Sequence, residues 1–164
     1  MNDNLDNRDA QPADLRILTA EASHLDLVAP LFDAYRQFYR QPADLGGARA
    51  YLAARLERGE SAIFLALLDA SDGTVAVGFT QLYPSYSSIS LRAVWILYDL
   101  FVAAEARRSG VGRALLRHAR AFAAGSGAGE MTLQTAVDNA PAQALYTALG
   151  WVRDDEYLTF NLAL

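Results

Sequence analysis

The chain contains no lysine and no cysteine, and all 14 of its basic residues are arginine. Without lysine there is no Schiff-base chemistry, no lysine general base and no phosphate-gripping lysine of the P-loop kind. Without cysteine there is no disulfide framework, no thiolate metal ligand and no thiol nucleophile, which is compatible with a reducing compartment. A basic excess is also missing. The formal net charge is −5, and nucleic acid is therefore not an expected partner, because phosphate binding draws on a basic face. No apolar run is long enough to span a bilayer, so no membrane partner is expected either. The two histidines stand apart. His24 precedes a helical segment and His118 lies on the apolar stripe of another; both read as structural, and no metal is expected, since a metal site wants clustered ligands. The opening stretch MNDNLDNRDAQPAD is polar and acidic, with no signal-peptide core. Residues 1–13 are expected to form a flexible tail, and the location is expected to be cytoplasmic.

What is present is globular. The chain has 164 residues, 52% of them apolar, enough for one domain with a real core, expected over residues 14–164 without internal repeat or linker. LRILTA (Leu15–Ala20) reads as a first strand. From His24 to Arg40, Leu27, Leu31, Ala34, Tyr35 and Phe38 recur at helical spacing. ARAYLAARLERG reads as a second helix, closed by Gly59. The period then changes: SAIFLALLD and TVAVGFTQLY form a hairpin across the turn signal SDG. PSYSSIS reads as a loop and LRAVWILYDLFV as a third long strand. A helix follows, then EMTLQTA as a strand and DNAPAQALYTALG as a short helix, with Pro141 in its first turn and Gly150 at its end. In WVRDDEYLTFNLAL the alternation of Leu158, Phe160, Leu162 and Leu164 predicts one or two closing strands. This order predicts an α/β (α+β) fold around one central sheet.

The chemistry concentrates in EARRSGVGRALLRHARAF (Glu105–Phe122). Val111, Ala114, Leu115, His118, Ala119 and Phe122 make the apolar stripe of a helix, with Arg113, Arg117 and Arg120 on another face. Gly110 and Gly112 stand at its mouth, although glycine costs a helix about 1 kcal/mol relative to alanine. Two readings fit. The glycines make a tight turn and nothing more, or they bare a helix start whose N–H groups and dipole receive an anion of pyrophosphate size. A P-loop is excluded by the missing lysine. A dinucleotide fingerprint is excluded because Gly110-Val-Gly112 is followed by Arg113, Ala114 and Leu115, without the third small residue, and lies past mid-chain.

Arg107-Arg108-Ser109-Gly110-Val111-Gly112 matches, at every defined position, the Q/R-x-x-G-x-G/A acetyl-CoA loop of the GCN5-related N-acetyltransferase family. The preceding LYDLFV (Leu97–Val102) resembles that family's fourth strand. Asn139 and Tyr146 are spaced as the family spaces an asparagine and a tyrosine on the helix after strand five, and Leu149-Gly150-Trp151 continues the likeness. The resemblance covers most of residues 15–164. It implies a sheet of six to seven strands, mostly antiparallel, flanked by about four helices, with strands four and five splayed to admit CoA. It implies acetyl-CoA as co-substrate, held by backbone N–H groups of Arg108, Ser109, Gly110, Val111, Gly112 and Arg113, with Arg107 and Arg108 near the phosphates. Pantetheine would follow the backbone of Leu100, Phe101 and Val102 past a bulge, and Asn139 and Tyr146 would complete the cofactor side. Arg108 stands where many members carry glycine.

Acetyl transfer to an amine needs a neutral nucleophile and a proton for the leaving thiolate. Tyr146 matches the family's general acid, its phenol ordinarily protonated at neutral pH. Asp99, a carboxylate inside an apolar strand, matches the acidic position that polyamine acetyltransferases of the family place near the substrate amine. Those enzymes carry a second acid where this chain has Tyr98, which counts against polyamine specificity. Asp99 is left as a general base, a binder of the cationic amine, or a structural carboxylate. Tyr83 and Tyr86, in the expected acceptor-side loop LYPSYSS, face Tyr35 and Tyr39 from the first helix as candidate substrate contacts. The expected activity is transfer from acetyl-CoA to a small primary amine. A catalytically weak acyl-CoA sensor and a protein N-acetyltransferase are the alternatives. Homodimerisation is expected from the resemblance, through the edge strand TFNLAL.

Overall fold

The computed structural model describes Pro12, residues 14–70 and residues 73–164. The expected tail, Pro12 apart, and Ser71 and Asp72 of the hairpin turn lie outside the described residues. The chain divides into two compact units, one ending at Gln134 and one running from Thr135 to Leu164; each is described by itself.

The first unit runs β1 (Leu15–Thr19), a 3-10 turn (Ala22–His24), α1 (Leu25–Phe38), α2 (Leu45–Glu57), β2 (Ala62–Ala70), β3 (Gly73–Ser87), β4 (Arg92–Val102), a second 3-10 turn (Ala104–Ala106), α3 (Val111–Gly125) and β5 (Glu130–Leu133). The strands form one sheet in the order β1-β2-β3-β4-β5. The first four are antiparallel neighbours, and β5 joins β4 in parallel. β2 is buried on both faces, which is why its sequence is a continuous apolar run rather than an alternation. Ile63 and Leu65 join Val28, Phe32, Leu52 and Phe79 in the core under α1 and α2. Phe64, between them, turns to the other face and meets His118 and Phe122 of α3. Burying each such side chain contributes roughly 1.5–3 kcal/mol.

Two local devices position the site. Asp33 of α1 is buried, and its carboxylate takes donors from Arg36 (3.2 Å), Gln37 (2.9 Å) and the Asp44 backbone N–H (2.9 Å). Asp44 in turn caps α2 by accepting the Gly47 N–H at 2.8 Å. This corner sets α2 against α1. On the opposite face, Gly78 lets α3 lie close to the sheet. A Cβ there would sit 2.8 Å from the Phe101 carbonyl oxygen and 3.3 Å from Val111 Cγ1, so only glycine allows this approach.

Three expectations are corrected. The buried stripe of α1 is Leu25, Val28, Ala29, Leu31 and Phe32, while Leu27 and Phe38 are exposed. Residues 84–87 are not a loop, because β3 continues through them, paired with β4 to Ser87↔Arg92. β2 has ended by then, its first pair being Ala62↔Leu82. Pro84 therefore sits on an edge where its missing N–H costs no ladder bond. Finally, the sheet has five strands rather than six to seven. Residues 151–164 carry no strand among the described residues, and Leu158, Phe160, Leu162 and Leu164 are exposed. Alternation alone makes no strand without a partner ladder. Here Asp154 accepts the backbone N–H groups of Glu156 (2.8 Å) and Tyr157 (3.3 Å), a local turn that competes with extension.

The second unit holds α4 (Ala140–Ala148). Asn139 caps it, accepting the Ala142 N–H at 3.4 Å, and Pro141 occupies its first turn.

Candidate active site

The site is organised by an irregularity in β4. Gln81 pairs with Asp99 and Leu82 with Leu97, so Tyr98 is an extra residue on β4, a bulge. In a regular strand Tyr98 and Asp99 would face opposite sides. Here both turn to the side covered by α1 and α2. Tyr98 packs edge-on against Tyr83 (5.6 Å, 85°), and the Tyr35 hydroxyl donates to the Asp99 carboxylate. The Thr80 hydroxyl gives the Asp99 carbonyl a donor at 2.8 Å where the ladder is interrupted.

Asp99 is 6% exposed. Burial lifts its carboxyl from the ordinary 3.8 to about 6, against the opposing pull of the Tyr35 hydrogen bond. Such a group is ionised at neutral pH yet basic enough to take a proton. Rings surround it. Tyr35 lies edge-on to Tyr39 (5.1 Å), Phe79 (5.9 Å) and Phe101 (6.2 Å). The hydroxyls of Tyr83 and Tyr51 are 2.7 Å apart. Burial, the Tyr51 hydroxyl and the Asp99 charge all push the Tyr83 phenol upward, so it remains a neutral donor.

β4 is open on its other edge. It pairs with β5 only from Val94↔Glu130 to Leu97↔Leu133. From Tyr98 to Val102, among the described residues, no strand pairs with β4 on that side, because β5 ends at Leu133. Leu100, Phe101 and Val102 all fall on this stretch. Past its end, Arg107 turns back: its Nε donates to the Val102 carbonyl (3.0 Å), and its guanidinium lies over Phe38 (5.7 Å) and Phe101 (5.8 Å). Arg108 is exposed and left-handed (φ 63°), the conformation glycine adopts without cost, which explains why glycine suits this position. Ser109 donates its hydroxyl to the Ala106 carbonyl (2.6 Å). Gly110, also left-handed (φ 89°), is the N-cap of α3 and offers no side chain to its first turn. The first intrahelical bond runs from the Ala114 N–H to the Gly110 carbonyl (3.0 Å). The N–H groups of Val111 and Gly112 precede it and have no helical carbonyl to meet. Val111 anchors the turn in the core, and Gly112 and Arg113 are half-buried. A bare helix start beside an open strand edge fits a pyrophosphate joined to an extended chain.

The first unit thus brings Asp99, Tyr35, Tyr83 and Tyr98 together, with Tyr39 at the rim. Tyr86 is not brought in: three residues beyond Tyr83 it faces the other side, 83% exposed. In the second unit, Asn139 Nδ2 donates to Thr135 Oγ1 (3.3 Å), and the Tyr146 ring lies 6.0 Å from Trp151. Sequence reasoning missed three residues on the Asp99 face: Gln81, Tyr51 and Arg55, whose guanidinium lies 4.9 Å over the Tyr51 ring. Gln81 carried a usable signal, a lone amide inside an apolar strand. Among the described residues there is no metal-binding cluster and no helix long and apolar enough to cross a membrane.

A buried carboxylate on one side of a bulged strand, and an unpaired edge and a glycine-turned helix start on the other, are groups that acyl transfer from a CoA thioester can use. Residues 28–151 match the model of the acetyltransferase (GNAT) family, and the chain belongs to that family. It is 43% identical over 148 residues to the uncharacterized N-acetyltransferase YhfO of Bacillus subtilis (strain 168), covering 90% of this chain and 97% of that one. It is 46% identical to a probable acetyltransferase of known crystal structure, with a TM-score of 0.84 over 91% of this chain and 97% of the other. The aminoglycoside N-acetyltransferase AAC(6')-Iy, solved with CoA, shares the fold at 21% identity, with a TM-score of 0.74 over 92% and 95% of the two chains. The protein is an acetyltransferase of a family that uses acetyl-CoA.

Proposed function

We propose that this chain transfers the acetyl group of acetyl-CoA to the primary amine of a small molecule. The observation that carries this reading is Asp99: a buried carboxylate among tyrosine rings, on the strand whose far edge is open. A carboxylate and aromatic faces together suit an ammonium group. The backbone N–H groups from Arg108 to Arg113 hold the pyrophosphate, and Leu100, Phe101 and Val102 hold the chain that follows. When bound, acetyl-CoA supplies the activated thioester. Asp99 takes a proton from the incoming ammonium, leaving a neutral nucleophile. Tyr35 fixes the carboxylate, Tyr39, Tyr83 and Tyr98 wall the acceptor, and Tyr146 returns a proton to the leaving thiolate. Asn139 supports the cofactor side by setting the start of α4.

The test is release of free CoA thiol, followed by a colorimetric thiol reagent, across a panel of small amines. Saturable, amine-dependent release is expected. Tight acetyl-CoA binding without amine-dependent release over a broad panel overturns the reading in favour of a sensor. Release only with peptide N-termini or protein lysines moves the acceptor to protein.

A further inference from the structure

Gln81 is fully buried at the centre of the sheet, 0% exposed. Its Nε2 donates to Ser61 Oγ at 2.7 Å. Its Oε1 has no hydrogen-bond partner. Buried polar atoms are nearly always satisfied, so this acceptor needs a donor beyond the side chains now bonded to the amide. Ser61 precedes β2, on one side of β3; the amide oxygen lies at the other end of the same planar group. On the other side of β3, directly opposite Gln81, is Asp99. Cross-strand neighbours of this kind have Cβ atoms about 4.5–5.5 Å apart, within reach of a glutamine side chain. An ionised Asp99 has only acceptors and nothing to offer the oxygen. A protonated Asp99 has one O–H.

We propose that Gln81 is a positioning residue for Asp99: its side-chain oxygen accepts a hydrogen bond from the Asp99 carboxyl once Asp99 has taken the acceptor's proton. The inference rests on the reading of Asp99 as the proton acceptor. The step balances as R–NH3+ plus carboxylate giving R–NH2 plus carboxylic acid; the new O–H turns to Gln81, and the amine lone pair is freed. Tyr35 donates to the carboxylate and favours its charged form. Gln81 accepts from the acid and favours its neutral form. The two together leave the proton on Asp99 when the amine needs to lose it. The raised carboxyl of Asp99 is in keeping with this arrangement. Of the other titratable groups, Tyr35 from α1 acts on the carboxylate directly and Tyr83 from β3 feels its charge; Tyr98 from β4 and Tyr51 from α2 pack on Tyr83, Arg55 lies on Tyr51, and Arg107 past the end of β4 lies over Phe101. Tyrosine and arginine ordinarily titrate near 10 and above 12, so a transition near pH 6 reports the carboxyl.

The experiment is a carbon-13 NMR titration of the aspartate-labelled full chain, with the Asp99 signal assigned by its loss in Asp99→Asn. Gln81→Met removes the acceptor at similar volume. The Asp99 midpoint is expected to fall by about one pH unit, tenfold in the ionisation constant, which is the size of one buried hydrogen bond. Gln81→Glu, which adds an ionisable neighbour, is expected to raise it and serves if the methionine variant does not fold. An unmoved midpoint overturns the proposal. In steady-state kinetics the acid limb of kcat/KM for the amine should move with the NMR midpoint, and Gln81→Met should add no further loss in an Asp99→Asn background. A further loss there places Gln81 elsewhere and overturns it too. An Asp99→Asn enzyme that keeps the wild-type acid limb refutes Asp99 as the base, whereas a missing Gln81 shift alongside a lost limb refutes only the role of Gln81.

Discussion

Replacing Asp99 with asparagine is expected to disable the enzyme and stabilise its fold. In the folded chain burial lifts the carboxyl from 3.8 to about 6. The difference of about two units, at about 1.36 kcal/mol each, corresponds to about 3 kcal/mol by which the folded state disfavours the ionised form. The sign follows from linkage. Above about pH 6 both states are ionised and the folded chain carries the whole penalty. Between about 6 and 3.8 the folded chain binds the proton first, and the penalty shrinks. Below 3.8 both states are protonated and it vanishes. Asparagine never ionises, its oxygen keeps the Tyr35 donor, and its amide can donate to the orphan Gln81 Oε1. The variant should therefore gain up to about 3 kcal/mol at about pH 7.5, roughly 6–12 °C in Tm for a chain of this size. The gain should fade toward pH 4. Paired denaturant melts at several pH values measure it, and kcat/KM with the amine should drop by about 10^2–10^4-fold. An asparagine variant that is less stable at neutral pH, or whose advantage does not change with pH, would falsify the argument that Asp99 is held ionised against the preference of the fold.

Four further outcomes follow from particular contacts. Tyr35→Phe removes the hydrogen bond that lowers the Asp99 carboxyl, so the acid limb of kcat/KM should move upward; a downward move contradicts the assignment. Gly78→Ala sets a Cβ 2.8 Å from the Phe101 carbonyl oxygen, which should cost about 1–3 kcal/mol in a chemical melt and weaken acetyl-CoA binding in a calorimetric titration, because α3 and β4 must part. Arg108→Gly relieves a left-handed backbone and should raise Tm by about 2–4 °C per kcal/mol recovered, the gross relief being about 1–2 kcal/mol before the entropy cost of glycine. Tyr146→Phe should lower kcat with the acetyl-CoA dissociation constant unchanged; equal kcat removes Tyr146 from the mechanism.

The elements that sequence reasoning placed well are those whose signal is local. β2 reads as an apolar run because both faces are covered, and α3 reads from its stripe and its two glycines. The corrections fall where pairing with another strand decides, which the local pattern does not show. Pro84 and the serines after it speak locally for a loop, yet the chain there is a strand, because β2 has stopped and leaves Pro84 an edge without a donor requirement. The alternation from Leu158 to Leu164 speaks locally for a strand, yet no ladder forms, and Asp154 binds the backbone N–H groups of its own neighbours instead. Tyr51 and Arg55 could not be tied to Asp99 from the sequence, since their approach to Tyr83 depends on the Asp33–Asp44 corner that sets α2.

The bulge explains why the site itself was only half legible. Asp99 in LYDLFV and Gln81, next to Thr80, in FTQLY are the same kind of signal, a buried polar residue in an apolar strand. Only the first was read as chemistry, because carboxylates suggest proton transfer and amides do not. What joins them is the register, and register depends on Tyr98. With Gln81 opposite Asp99 and Leu82 opposite Leu97, the extra residue puts Tyr98, Asp99 and Gln81 on one face while keeping Leu97 in the core. Remove the extra residue, and the alternation of two per repeat forces a choice: either Leu97 leaves the core or Tyr98 leaves Tyr83. The strand keeps both because it breaks its ladder once, and it does so where β5 ends and the edge opens.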